Sequence, residues 1–264
     1  MLSSIEDGSK ALLEDVATVL RNFASVEYIV IGGWCPVLRN TTKIKHPGTL
    51  DVDLLFKDSY KSGTIGPVIK ALMDAGFRPS AKHPFQLLKS QEIKGEKFVF
   101  NVDLLHPKML DDKDSVGMFV DHLELDVPLN ANEITLKKIK SIVLSNSEIL
   151  FSENLYSKET IGAVDFNLIS FDGMFLTKMD SCQKQKRERD SFDIYLGFLG
   201  GCIDITRIKI LSETDERIFA SVNNFRSFLK DNRDLFNSNV KMFSHVYEGS
   251  PASLILERLN GLNG

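Results

Sequence analysis

Cysteine is scarce and scattered in this chain. Three residues, Cys35, Cys182 and Cys202, occur among 264, with no Cys-x-x-Cys pair and no histidine at zinc-ligand spacing. That excludes a disulfide framework and a structural zinc site, and it matches a reducing cytosol. Long apolar runs are also missing: the longest, around residues 28–38 and 192–203, fall short of the roughly 20 needed to cross a bilayer. The opening residues lack the basic stretch and apolar core of a secretory signal. The expectation is a soluble, cytoplasmic protein with no membrane contact. Neither sign of charge dominates, the formal net charge being −4. Any contact with nucleic acid must therefore come from a local basic surface. Repeats and low-complexity segments are absent. What remains is an ordinary core-forming composition, long enough for one large domain or two modest ones.

The most informative stretch begins at Tyr28-Ile-Val-Ile-Gly32-Gly33-Trp34 and ends at Leu50-Asp51-Val52-Asp53-Leu54-Leu55-Phe56. The glycine pair allows a tight turn that brings backbone N–H groups close to a ligand. In a strand, Asp51 and Asp53 point to one face while Val52 and Leu54 point to the other. Carboxylates that close repel each other unless a cation lies between them, and hard divalent cations share such ligands with substrate phosphates. A third carboxylate follows. In a strand over 97–105, Asp103 shares a face with Val99, Asn101 and Leu105. The pattern points to a metal-dependent site that handles a nucleotide.

Asp-x-Asp alone also ends solvated strands and occurs in calcium loops, in HAD phosphatases and in nucleotide-sugar glycosyltransferases. The calcium-loop reading needs glycine at its sixth position, where this chain has Phe56. The phosphatase reading needs an unbroken apolar strand before the first acid, where this chain has His46-Pro47-Gly48-Thr49.

Around these residues, hydrophobic periodicity predicts a helix over 10–23, a strand over 27–31 and a helix over 66–75 ended by Gly76. Strands at 85–88 and 97–105 flank a hairpin turn at Lys94-Gly95-Glu96, and a short strand pair is expected over 121–129. Residues 134–144 are basic and amphipathic, and helical patterning dominates from Gly173 onward. The reading is an α+β fold with two domains, an α+β one over 1–130 and a mostly helical one over 131–264. Lys137, Lys138 and Lys140, with Arg226, Lys230 and Arg233, are candidates for a basic face.

The Gly32-Gly33, Asp51-x-Asp53 and Asp103 positions, in that order, resemble the DNA-polymerase-β-like nucleotidyltransferase superfamily. A second segment, Lys178-Met-Asp-Ser181-Cys-Gln-Lys-Gln185-Lys-Arg-Glu-Arg189-Asp190-Ser-Phe-Asp193, resembles the K-x-x-A-x-x-x-R-x-x-x-R-D-x-x-D pattern of AbiEii-type nucleotidyltransferases, toxins of abortive-infection and type IV toxin–antitoxin systems. Two positions depart from it: Ser181 stands for alanine, and Gln185 for an arginine. On one continuous helix, Lys178, Gln185, Arg189 and Asp193 would share a face, with Asp193 holding Arg189 through an i,i+4 pair. The basic residue that precedes Asp-x-Asp in the family has Lys45 or His46 as its candidate here.

The resemblance implies a polymerase-β-like mixed sheet followed by helices. It implies Asp51, Asp53 and Asp103 as the catalytic, metal-binding acids, with two Mg²⁺ ions (Mn²⁺ as the alternative). Gly32, Gly33, Lys178, Arg189, Asp190 and Asp193 would serve the nucleotide. The activity implied is transfer of NMP from an NTP to an acceptor hydroxyl, with RNA or a tRNA end as acceptor and an antitoxin as partner. Gly-Gly-Trp34 also resembles the opening of aminoglycoside and lincosamide nucleotidyltransferases, which leaves an antibiotic acceptor as the rival. A non-catalytic NTP-binding module is the third reading. Cys35 and the isolated His83 and His106 are expected to pack rather than react.

Overall fold

The computed structural model describes residues 2–57, 65–107, 122–130, 133–144, 146–245 and 249–261. The fold is α+β, and the chain divides into two compact units. One comprises residues 1–32 and 49–168; the other comprises residues 33–48 and 169–264. The boundary expected after residue 130 falls within the first unit, and residues 131–132 next to it lie outside the described residues. Helical structure takes over at 171, not at 131. Glu133–Lys140 (β7) pairs antiparallel with His122–Asn130 (β6), and Ile142–Leu144 (β8), Tyr156–Ile161 (β9) and Val164–Ile169 (β10) are strands as well. Isoleucine, threonine and valine in these segments favour a pleated surface. A pairing partner immediately upstream decides for sheet over the amphipathic helical alternative.

In the first unit, helix α1 (Ile5–Leu20) starts at Ser4, whose hydroxyl accepts the Asp7 N–H. It buries Leu12, Leu13, Val16 and Leu20. Strands β1 (Tyr28–Ile31) and β2 (Asp51–Phe56) are followed by helix α3 (Ile65–Asp74), then β3 (Arg78–Pro79), β4 (Gln86–Ile93) and β5 (Glu96–Pro107). A short helix, α4 (Glu148–Ser152), precedes β9. Among the described residues these strands form one mixed sheet in the order β3-β4-β5-β2-β1-β10-β9, with β8 added to the end of β5. The hairpin between β4 and β5 turns at Lys94 and Gly95, both at positive φ (52° and 87°). A two-residue turn of that hand matches the twist of the strands it joins.

The second unit is helical. Helix α2 (Trp34–Arg39) belongs to it by contact, together with α5 (Phe171–Lys178), α6 (Glu188–Leu199), α7 (Ile205–Thr214), α8 (Glu216–Asp231), α9 (Arg233–Lys241) and α10 (Pro251–Asn260). Its core is built on rings set edge to face. Phe175 meets Phe198 at 5.3 Å and Phe225 at 5.5 Å, and Phe225 meets Phe236 at 6.2 Å between centroids. Trp34 is buried here, where α2 packs on α5 and α6.

Candidate active site

The acids of the first unit stand on two adjacent strands. β2 and β5 run parallel in a register that sets Asp51 beside Asn101 and Asp53 beside Asp103. Alternation buries Val52, Leu54, Val102 and Leu104 on the opposite side and leaves the polar set half-buried on one face. Neighbouring side chains hold the carboxylates. Thr49 Oγ1 donates to Asp51 Oδ1 at 2.7 Å, and Asn101 Nδ2 donates to Asp103 Oδ1 at 2.9 Å. Gln86, across from Asp103 on β4, also hydrogen-bonds to it. Burial lifts the Asp103 carboxyl above the ordinary carboxylate range; those two amides oppose the shift, and the charge of Asp51 adds to it.

Gly32 closes this face at the end of β1. Its φ of +75° favours glycine, and a methyl group there would also have to push the Asp53 carboxylate aside. Gly33 needs no such freedom; it caps α2 at φ −76°. In type and alignment, three carboxylates on one face suit a hard divalent cation. Among the described residues, no three His, Cys, Asp or Glu side chains converge closely enough to hold one.

The Lys178–Asp193 segment does not form the continuous helix its spacing suggested. Helix α5 ends at Lys178, a 3₁₀ turn covers Ser181–Gln183, residues 184–187 are exposed with Lys186 at φ +62°, and α6 starts at Glu188. The bend folds Lys178 back onto the first turns of α6. Its ammonium, nearly buried, donates to Asp190 Oδ1 at 2.6 Å and to Asp193 Oδ2 at 2.7 Å. Ser181 Oγ donates to the other oxygen of Asp190 at 2.7 Å. Burial works against the charge of Lys178, but the facing carboxylates of Asp193 and Asp190 outweigh it and hold the ammonium above its usual pKa. Asp193 is likewise pulled below the carboxylate range, the attraction of Lys178 and a bond from His46 exceeding the cost of burial.

Asp193 therefore pairs with Lys178 and His46, not with Arg189. His46, also buried, receives the Gly48 N–H on Nδ1 at 3.0 Å, which leaves Nε2–H to donate to Asp193 Oδ1 at 2.8 Å. Arg189 donates to the carbonyl of Gly48. Further along, Thr41 Oγ1 donates to the carbonyl of Gly200 at 3.3 Å. The segment between the glycine turn and the first acid is thus tied at several points to helix α6 and the residues after it. Cys35 packs, as expected, and so does Cys182, their thiols pushed up by burial into the inert range.

His46 is the residue that local reading understated. It figured only as a stand-in for a basic residue, and no sequence interval links it to Asp193. Asn101 was legible only as a neighbour of Asp103 on a strand face, and Gln86 only as a member of the strand expected over 85–88.

No family profile and no curated protein matches the chain. Among solved structures, it is similar to an antigenic nucleotidyltransferase-like protein from Paracoccidioides brasiliensis, at 14% identity and a TM-score of 0.40, over 91% of this chain and 94% of that one.

Proposed function

We propose that the chain is a nucleotidyltransferase that moves NMP from an NTP to an acceptor hydroxyl. The observation that carries this reading is the in-register alignment of Asp53 with Asp103, and of Asp51 with Asn101, on one face beside Gly32, whose φ of +75° favours glycine. Nucleotidyl transfer needs such a face, because in-line displacement at phosphorus requires positioning and neutralised charge more than covalent chemistry. The resemblance assigns Asp51, Asp53 and Asp103 to Mg²⁺, which when bound would neutralise charge on the phosphate; to hold it the three carboxylates would have to draw closer together than they stand here.

The other steps belong to the chain's own groups. Gly32 and Gly33 let backbone N–H groups approach the triphosphate. Asp103, oriented by Asn101 and Gln86, aligns the acceptor hydroxyl. The acceptor hydroxyl gives its proton to the Asp103 carboxylate as its oxygen bonds to the α-phosphorus, and the bond from that phosphorus to the oxygen bridging to the β-phosphate breaks, releasing pyrophosphate. Lys178, Arg189, Asp190 and Asp193 enter as the frame that fixes residues 46–48, and not as ligands of the triphosphate. RNA or a tRNA end as acceptor, and a toxin's role checked by an antitoxin, rest on the resemblance of 178–193 to AbiEii-type enzymes.

The test is incubation of the purified protein with each α-labelled NTP, Mg²⁺ and total cellular RNA. Label is expected in a discrete RNA band, and Asp53→Asn is expected to abolish transfer while leaving the melting curve in place. Undiminished transfer in that variant would sink the mechanism. Label in a small-molecule acceptor instead would keep the chemistry and refute the RNA acceptor.

A further inference from the structure

A cavity of about 450 Å³ opens in the helical unit between the turn after α5 and the exposed side of α8. Its wall carries one aromatic ring, Phe228, half-buried and anchored edge-on against Phe236 with centroids 6.5 Å apart. Three carboxamides line the same cavity: Asn224, Asn232 and Gln183. Gln183 gives its Nε2–H to the carbonyl of Met179 at 2.8 Å, so its oxygen remains to accept. The side-chain amides of Asn224 and Asn232, and the Ser227 hydroxyl between them, have no hydrogen-bond partner among the described residues. Asp180 lines the same wall and accepts from Ser221 Oγ at 2.9 Å through one oxygen.

A fixed ring surrounded by uncommitted amide donors and acceptors is the equipment that recognises a nucleobase, by stacking on its face and hydrogen bonds along its edge. Charge near the cavity suits the phosphate that comes with a base. Lys184 lines it, Lys186 and Arg187 follow on the same exposed turn, and Lys230 and Arg233 flank Phe228 and Asn232 in sequence. None of the five side chains has an ion pair among the described residues. Asp231 and Asp234 temper this charge, which favours contact with one or two phosphates over a long backbone track.

We infer that the cavity lined by Phe228, Asn224, Asn232 and Lys184 binds one unpaired nucleotide of a single-stranded nucleic acid, its base on the Phe228 ring and its phosphate at Lys184. A duplex cannot offer that base, since its ring faces are stacked within the helix and unavailable to a side chain. The site lies within the helical unit, and the inference does not rest on transfer chemistry at the acids.

The experiment is fluorescence anisotropy with end-labelled eight-nucleotide homopolymer strands, RNA and DNA, and the intact protein in EDTA without NTP. At least one strand should bind. Phe228→Leu, which keeps an apolar side chain against Phe236 but removes the stacking face, should weaken it about tenfold or more. Asn224→Ala with Asn232→Ala, both exposed positions, should narrow the difference in affinity among the four bases. Lys184→Ala should reduce the slope of log affinity against log salt by about one phosphate contact. Binding of RNA alone, or of RNA and DNA alike, supports the site and decides whether it reads the sugar. No binding of any strand overturns it, as does wild-type affinity in both the Phe228 and the double-asparagine variants, or a duplex bound as tightly as the strand. Omitting NTP and metal separates the two readings, since failed transfer leaves strand binding measurable and failed strand binding leaves the acids intact.

Discussion

Lys178 ends α5 with the carboxylates of Asp190 and Asp193 on its ammonium. Removing it leaves two buried acids without a counter-charge, a loss of about 3–5 kcal/mol. Lys178→Met should therefore lower the urea midpoint sharply at neutral pH. The pH dependence fixes the cause. Asp193 is depressed in the folded state, so its stabilisation is present above the ordinary carboxylate range, near pH 4, and is lost as pH falls through its lower folded value. Lys178 is raised, so its share is present below about pH 10.4 and is lost as pH rises through its folded value. In the variant, an unpaired Asp193 prefers to be protonated. The gap between variant and native protein should then shrink as pH drops from 7 toward 4, and a gap that widened would contradict the ion-pair account.

Two turns show how an element's ends set its sensitivity. Gly95 closes the β4–β5 hairpin at φ +87° with open space where a methyl would go, whereas Gly32 ends β1 at φ +75° with Asp53 in the way. Gly95→Ala should cost the backbone term alone, about 1 kcal/mol, with transfer activity retained. Gly32→Ala carries the same backbone term and must also displace the Asp53 carboxylate, so it should cost more stability and abolish activity. Chemical denaturation with a parallel transfer assay reads both. The comparison has force because the two glycines look alike in sequence, each following a strand.

For the molecule as a whole, the consequential feature is the route of the chain. It leaves the sheet unit after Gly32, contributes residues 33–48 to the helical unit, and returns at Thr49 to place Asp51 and Asp53. The only tryptophan lies on that excursion, buried against α5 and α6. Trp34 fluorescence should thus report unfolding of the helical unit, although 135 positions separate it from Ile169, where the unit's main run begins. A fragment ending at residue 168 should show red-shifted emission even where circular dichroism finds its sheet formed. Native-like emission from that fragment would place Trp34 in the other unit.

The acids, their shared strand face and the Lys94-Gly95 hairpin were legible because they depend on a two-residue period and on turn chemistry, both local. The ends of α1, α3 and β5 shifted by only a few residues, since apolar spacing marks an element better than its caps do. The pairing within Lys178–Asp193 was not legible. Helical spacing counts neighbours three and four residues away, and it assigned Asp193 to Arg189. Burial then made the nearest ammonium and imidazole the better partners, one of them 147 residues distant. The division of the chain into units at 32, 48 and 168 was not legible either, because a strand's partner lies elsewhere in the chain and its own pattern does not name it. Sequence by itself determined the alternation that sets Asp51 and Asp53, and Asn101 and Asp103, each on one face of a strand. Only tertiary structure decided which charges meet, because a buried charge takes its partner from whatever the fold brings within hydrogen-bond reach.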